Sequence, residues 1–81
     1  MLNQVSPGVL PEWQQDLLRG RAQFSLNLLA EAKASLRSAV QRKPDLLDAH
    51  YLLAQIYERE GDWQNAATEY RLSRGDPPPQ R

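Results

Sequence analysis

Apolar residues recur at steps of three and four along most of the chain, which is the spacing of one face of an α-helix. The pattern is clearest from Pro44 to Tyr70, where it predicts a helix over 46–60, a tight turn at Gly61-Asp62, and a further helix that ends before Gly75. The apolar positions are Leu46, Leu47, Ala49, Leu52, Leu53, Ile56 and Tyr57 in the first helix and Trp63, Ala66, Ala67 and Tyr70 in the second. Two amphipathic helices joined by so short a turn are expected to close into a hairpin.

The residues between these periodic segments are typical of helix ends. Pro44 ends the segment before it, and Asp45 is expected to cap the start of the helix over 46–60. Gly61 suits the left-handed residue that ends a helix, and Asp62 is a natural cap for the helix that follows. The turn residues therefore support the predicted hairpin.

The first half of the chain carries the same kind of pattern. It predicts a helix over 12–25, with Pro11 at its first position, and a second helix over 28–42 after a break at Asn27. The apolar positions are Trp13, Leu17, Leu18, Ala22 and Phe24 in the first helix and Leu29, Ala32, Leu36, Ala39 and Val40 in the second. The sequence therefore predicts an all-α fold. Residues 1–11 are expected to form an extended N-terminal arm, and residues 77–81 a proline-rich tail.

The two halves of the chain resemble each other. A shift of 34 residues aligns Gly20 with Ala54, Asn27 with Gly61, Ala32 with Ala66 and Pro44 with Pro78. The second half carries Leu53-Ala54, Tyr57, Gly61-Asp62-Trp63, Ala66, Tyr70 and Pro78. In this spacing the chain resembles the tetratricopeptide repeat family, whose repeat is about 34 residues long. The first half departs from the family pattern at Arg19, Gln23 and Asn27, although Asn tolerates the positive φ of the last position.

The resemblance implies two helix-turn-helix units stacked as a short right-handed α-solenoid. The domain would cover about 12–76, with repeat one at about 13–46 and repeat two at about 47–80. Small side chains would let neighbouring helices approach closely, and larger ones would fill the grooves between them. The residues expected to pack within and between the repeats are Gly20, Ala32, Ala54, Tyr57, Gly61, Trp63, Ala66 and Tyr70.

Composition excludes several function classes. Ten basic and ten acidic residues cancel, so nothing marks the chain as a nucleic-acid binder. The apolar runs are too short to cross a membrane, and the absence of cysteine excludes thiolate metal sites. We therefore expect neither nucleic-acid binding nor membrane insertion.

Catalytic chemistry is nearly absent from the sequence. His50 is the only histidine, and we interpret it as a packing residue rather than a ligand or base. Asp45 and Asp48 fit helix capping and the helix dipole, whereas Asp16, Glu31, Glu58 and Glu60 are interpreted as solvated carboxylates. No nucleophile and base stand in a recognisable pattern. The chain is expected to need no cofactor and to be no enzyme.

The remaining function is recognition of another protein. In the tetratricopeptide family the first helix of each unit lines a concave groove that holds a partner's peptide or helix, and the resemblance implies the same use here. The corresponding residues are Gln14, Leu17, Arg21 and Phe24 in repeat one and Asp48, Tyr51, Gln55, Glu58 and Arg59 in repeat two. Leu17 and Arg21 replace the lysine and asparagine of the repeats that clamp chaperone tails, which disfavours that subtype. Leu17 and Tyr51 also fit a purely structural role between the units.

An alternative role follows from the number of units. Two repeats are fewer than a stable stack usually needs, so the outer faces of the end helices are expected to stay apolar and uncovered. The N-terminal arm, another chain or further repeats of a longer array would cover them. The second hypothesis is therefore a structural module that self-associates or continues a solenoid.

Overall fold

The computed structural model describes residues 9–75, which form four α-helices and, within that range, no β-strand. The helices are α1 (Glu12–Ser25), α2 (Leu29–Arg42), α3 (Leu47–Arg59) and α4 (Trp63–Ser73). The all-α prediction is confirmed, and each helix lies within a residue or two of its predicted span. Most of the predicted arm and all of the predicted tail lie outside the described residues, and the repeat boundaries remain predictions.

Two helix-end predictions are confirmed at the left-handed positions. Asn27 has a φ of 63° after α1, and Gly61 has a φ of 79° after α3. Asp62 caps α4, because its Oδ1 accepts a hydrogen bond of 3.3 Å from the backbone N–H of Asn65. The short turns that these residues form fold each pair of helices back on itself.

Two predictions about helix starts are wrong. Asp45 does not cap α3, since the N-cap is Leu46 and no side chain bonds to that helix start. Asp45 lies one residue too early, in the turn after Pro44, and its carboxylate is 3.2 Å from Nζ of Lys43. Pro11 is the N-cap of α1 rather than its first helical residue, because its ψ of 150° is extended. Its carbonyl accepts the first backbone hydrogen bonds of α1.

The four helices pack as two hairpins stacked on each other. α1 packs on α2 and α3 packs on α4, while α2 and, less extensively, α1 contact α3. Within the described residues α4 contacts α3 alone. The buried core joins both hairpins and consists of Ala32, Leu36, Ala49, Leu53, Ile56, Tyr57 and Ala66.

Gly20 allows the close approach of α1 and α2. A Cβ atom built on Gly20 would lie 2.7 Å from both Cγ and Cδ2 of Leu36, a side chain with no exposed surface. Because Leu36 is enclosed on all sides, it has no free space into which to move. A residue larger than glycine at position 20 would therefore force the two helices apart.

Some predicted apolar faces are not covered. Trp63 is 65% exposed, and Ala67 beside it on α4 is exposed as well. The same is true of Leu18 and Ala22 on α1. These residues follow the helical period, but they lie at the two ends of the stack, where no further helix packs against the described residues. The expectation that Trp63 packs inward with Ala66 is thus corrected.

Asp16 is buried between α1 and α2, which corrects its interpretation as a solvated carboxylate. Its carboxylate accepts hydrogen bonds from Arg19 at 2.9 Å, Ser38 at 2.8 Å and Arg42 at 3.2 Å. Burial alone would raise the pKa of Asp16. The three hydrogen bonds and the nearby Arg42 charge outweigh burial and hold this pKa below its usual value of 3.8.

His50 is buried and joins α3 to α4. Its Nδ1 lies 2.7 Å from Oε1 of Glu69, and its Nε2 lies 2.7 Å from the carbonyl oxygen of Pro44. Both ring nitrogens are thus occupied by groups of the protein itself. This geometry fits the structural interpretation of His50, because neither nitrogen is open to a ligand or substrate.

Candidate functional site

The candidate site is the surface along which α1 and α3 lie side by side. We name it the α1–α3 groove and define it by the nine residues predicted to bind a partner: Gln14, Leu17, Arg21, Phe24, Asp48, Tyr51, Gln55, Glu58 and Arg59. Four of these residues come from α1 and five from α3. All of them are at least partly exposed.

The centre of the groove is an open cavity of about 220 Å³. Arg21 of α1 and Asp48, Tyr51 and Leu52 of α3 line it. Three of the predicted residues therefore meet around one space, although 27 or more positions separate Arg21 from the other two. Leu52 is an additional lining residue that the sequence assigned to the core. Its position four residues after Asp48, one helical turn away on the same face, is the signal that could have placed it here.

Two opposite charges at this cavity have no partner among residues 9–75. Within the described residues, neither Arg21 nor Asp48 makes an ion pair or a side-chain hydrogen bond. Tyr51 is 49% exposed and places an aromatic ring beside them. Guanidinium groups bind carboxylates through two parallel hydrogen bonds, and aromatic side chains supply apolar contact area. The cavity thus combines a cation, an anion and an apolar surface within a small space.

Phe24 and Arg59 form a separate part of the groove. The Cζ atom of Arg59 lies 4.7 Å from the centre of the Phe24 ring, in the geometry of a cation–π contact. Nη1 of Arg59 also donates a long hydrogen bond of 3.4 Å to Oδ1 of Asn27. Asn27 was predicted only as a turn residue, and its side-chain role was missed. These contacts join α3 to the end of α1, so this part of the groove already holds the two hairpins together.

Glu58 lies on the far side of α3, toward α4. Its Oε1 accepts a hydrogen bond of 2.7 Å from the Tyr70 hydroxyl, and the rings of Tyr51 and Tyr70 meet edge to face at 5.8 Å. The hydrogen bond to Glu58, burial, and the negative charge of Glu58 raise the pKa of Tyr70 to about 12. Glu58 therefore contacts α4 and does not line the central cavity.

The other predicted groove residues have simpler surroundings. Leu17 is half-buried and packs against the core, as its structural interpretation would require. Gln14 and Gln55 are half-buried and make no side-chain hydrogen bond within residues 9–75. The predicted packing residues Ala32, Ala54, Tyr57 and Ala66 are buried, and Tyr70 is half-buried.

Other surfaces of residues 9–75 are less suited to binding a ligand. An open depression of about 360 Å³ runs along α2, but all of its lining residues belong to that one helix. One of them, Lys33, already binds the Glu60 carboxylate at 2.8 Å. Among the described residues, no cluster of His, Cys, Asp or Glu could hold a metal ion. In the same part of the chain, no helix has both the length and the apolar character needed to cross a bilayer.

Comparison with known proteins agrees with the geometry. The family model of the tetratricopeptide repeat matches residues 17–80, which include most of α1 and all of α2, α3 and α4. Neither a curated protein nor a solved structure matched the chain significantly. Since the family model covers well over half of the sequence and the structure consists of two stacked helical hairpins, the chain belongs to the tetratricopeptide repeat family.

Proposed function

We propose that the chain is an adaptor that binds a peptide or helix of another protein in the α1–α3 groove. Tetratricopeptide repeats generally mediate protein–protein interaction. The observation that carries the proposal is the convergence of Arg21, Asp48 and Tyr51 around one open cavity. No catalytic role is proposed, because the family is a non-catalytic interaction module.

The central cavity would provide most of the binding energy. A few residues usually dominate an interface, and Tyr and Arg are enriched among them. Tyr51 and Leu52 would contact an apolar side chain of the ligand, while Arg21 would bind a carboxylate beside it. Asp48 would favour ligands that carry a donor or a positive charge next to that carboxylate. With only two repeats the contact area is small, so we expect modest affinity.

The experiment is a selection of binding peptides from a displayed random library, followed by anisotropy measurements on labelled peptides. The double variant Arg21→Ala and Tyr51→Ala should lose at least about tenfold in affinity for the selected peptides, because both anchors are removed. Circular dichroism should stay unchanged, since both side chains are exposed.

A matched control removes an arginine and an apolar side chain elsewhere on the surface. Arg37 and Leu28 are exposed and lie outside the groove, so the variant Arg37→Ala and Leu28→Ala should bind as the original chain does. Equal loss of binding in both double variants, or full binding by the groove variant, would retire the groove assignment.

A second candidate role is a structural one, in which the ends of the stack associate with other chains. The exposed apolar residues at both ends favour it. This role uses the two ends of the stack rather than the cavity lined by Arg21 and Asp48.

A further inference from the structure

The two ends of the stack each expose apolar side chains at helical spacing. At one end are Leu18, Ala22 and Leu26, four residues apart, and Leu26 is 70% exposed. We name these three residues the leading face. At the other end are Tyr51, Trp63, Ala67 and Tyr70 of α3 and α4, which we name the trailing face. Both faces are rich in apolar surface for so small a domain, which is typical of interaction sites.

The contact between the two hairpins shows what such faces can bind. The trailing-face residues stand 34 positions after Leu17, Leu29, Lys33 and Leu36 of repeat one. Leu17, Leu29 and Leu36 contribute to the core, and Lys33 binds Glu60, the residue directly after α3. The leading-face residues stand 34 positions before Leu52 and Ile56 of α3 and before Glu60, which directly follows that helix. Each end face is therefore the unpaired equivalent of one side of a contact that the chain already makes internally.

The residue changes at the end faces occur in matched pairs. Inside the chain Lys33 binds the Glu60 carboxylate at 2.8 Å, and the equivalent positions at the ends are Ala67 and Leu26. A charged pair is thus replaced by an apolar pair. If only one of the two positions differed from its internal equivalent, a charged side chain would face an apolar one.

The neighbouring contact changes in the same way. Inside the chain Arg59 lies over Phe24, and the equivalent positions at the ends are Ser25 and Glu58. Tyr70 occupies only Oε1 of Glu58, so a Ser25 hydroxyl could donate a hydrogen bond to the other carboxylate oxygen. At both contacts the two ends therefore complement each other, and no like charges face one another.

We propose that a second copy of this chain docks head to tail, with α1 of one copy on α3 and α4 of the next. Leu26 of one copy would cover Ala67 of its neighbour, and Ser25 would lie beside Glu58. The contact is heterologous, so it leaves a free leading face and a free trailing face on every pair and can add further copies. The trailing face shares Tyr51 with the groove, and the contact also uses Glu58, but Arg21 and Asp48 belong to neither face. Arg21→Ala should therefore weaken peptide binding and leave self-association unchanged.

The test uses one blocking substitution on each face. Leu26→Glu would place a carboxylate opposite Ala67, and Ala67→Glu would place one opposite Leu26; both positions are exposed, so the fold should persist. In light scattering over a concentration series, the unaltered chain should increase in mass. Each variant alone should stay monomeric, because its one intact face has no partner.

The decisive measurement is an equimolar mixture of the two variants. The intact trailing face of the Leu26→Glu chain should pair with the intact leading face of the Ala67→Glu chain, which gives a dimer and nothing larger. If the contact instead joined two leading faces or two trailing faces, mixing the two variants would not restore an association that the substitutions had removed. Should either variant lose helical circular dichroism, Leu18→Glu and Trp63→Glu block the same two faces.

Three results would overturn the proposal. The first is an unaltered chain that stays strictly monomeric. This includes the case in which residues outside 9–75 cover the trailing face, which would protect the fluorescence of Trp63 from a quencher in solution. Another is a mixture that remains monomeric. The third is self-association that persists in both single variants, which would place the contact on another surface.

Discussion

Asp16 draws its partners from two helices at once. Arg19 lies one turn further along α1, whereas Ser38 and Arg42 come from α2, 22 and 26 residues away. Polar side chains carry no hydrophobic period, so the sequence could not show that these groups meet. Gly20 is the opposite case, because its alignment with Ala54 in the 34-residue shift marks it as a position for a small residue.

The Asp16 carboxylate should make stability depend on pH. We expect Asp16→Asn to lower the free energy of unfolding by about 1–3 kcal/mol near neutral pH, since a charged acceptor of buried hydrogen bonds is lost. The pKa of Asp16 is lower in the folded state than in the unfolded chain. Its contribution is therefore present above the usual, unfolded-state pKa of 3.8 and is lost as the pH falls through the lower folded-state pKa.

Urea unfolding at a series of pH values measures this effect. The difference between the original chain and Asp16→Asn should be largest near neutral pH and should shrink as the solution becomes acidic. Asp45→Asn is the control, because Asp45 is exposed, caps no helix, and its ion pair with Lys43 is exposed as well. A constant difference across the series would show that the charge of Asp16 does not stabilise the fold.

The helices themselves were largely predictable, because their signals are local. Hydrophobic spacing located all four elements, and Asn27 and Gly61 marked two ends by their tolerance of positive φ. The period shows which residues share a face, but it does not show whether another helix covers that face. Trp63 was misassigned for this reason, since α4 packs only on α3 within the described chain.

Two aspartates before α3 and α4 should differ in their effect on stability. Asp62→Ala is expected to lower the free energy of unfolding by about 1 kcal/mol, because it removes the side-chain cap of α4. Asp45→Ala should lower the free energy of unfolding by at most a few tenths of a kcal/mol, because Asp45 does not cap α3 and its ion pair with Lys43 is exposed. Thermal or urea unfolding of both variants makes the comparison. Equal losses would mean that the cap does not contribute.

At the scale of the whole molecule, two side-chain contacts tie the hairpins together around the shared core. Lys33 binds Glu60, and its Nζ also lies 5.3 Å from the centre of the Tyr57 ring. Arg59 covers Phe24 on the groove side. The family pattern predicted the stack, but it could not predict these contacts. They depend on residues such as Lys33 and Arg59 whose equivalents differ between the two repeats.

A double-mutant cycle measures the contact between Arg59 and Phe24. With Phe24→Leu and Arg59→Gln, we expect a coupling of about 0.5–1 kcal/mol in the free energy of unfolding, which is the usual strength of an exposed cation–π pair. The control cycle combines Arg59→Gln with Trp13→Leu. Trp13 lies near Lys43 instead, so this coupling should be close to zero. Equal couplings in the two cycles would contradict a direct contact.

Arg59 is shared between the groove and the hairpin contact. A ligand that recruited its guanidinium would first have to remove it from the Phe24 ring, and the cost would weaken both the complex and the stack. A ligand that used Arg21 alone would break no contact between the hairpins, because Arg21 makes no ion pair or side-chain hydrogen bond within residues 9–75. In the proposed binding role, the groove should therefore bind peptides whose carboxylate lies beside Arg21 more tightly than peptides whose carboxylate lies beside Arg59.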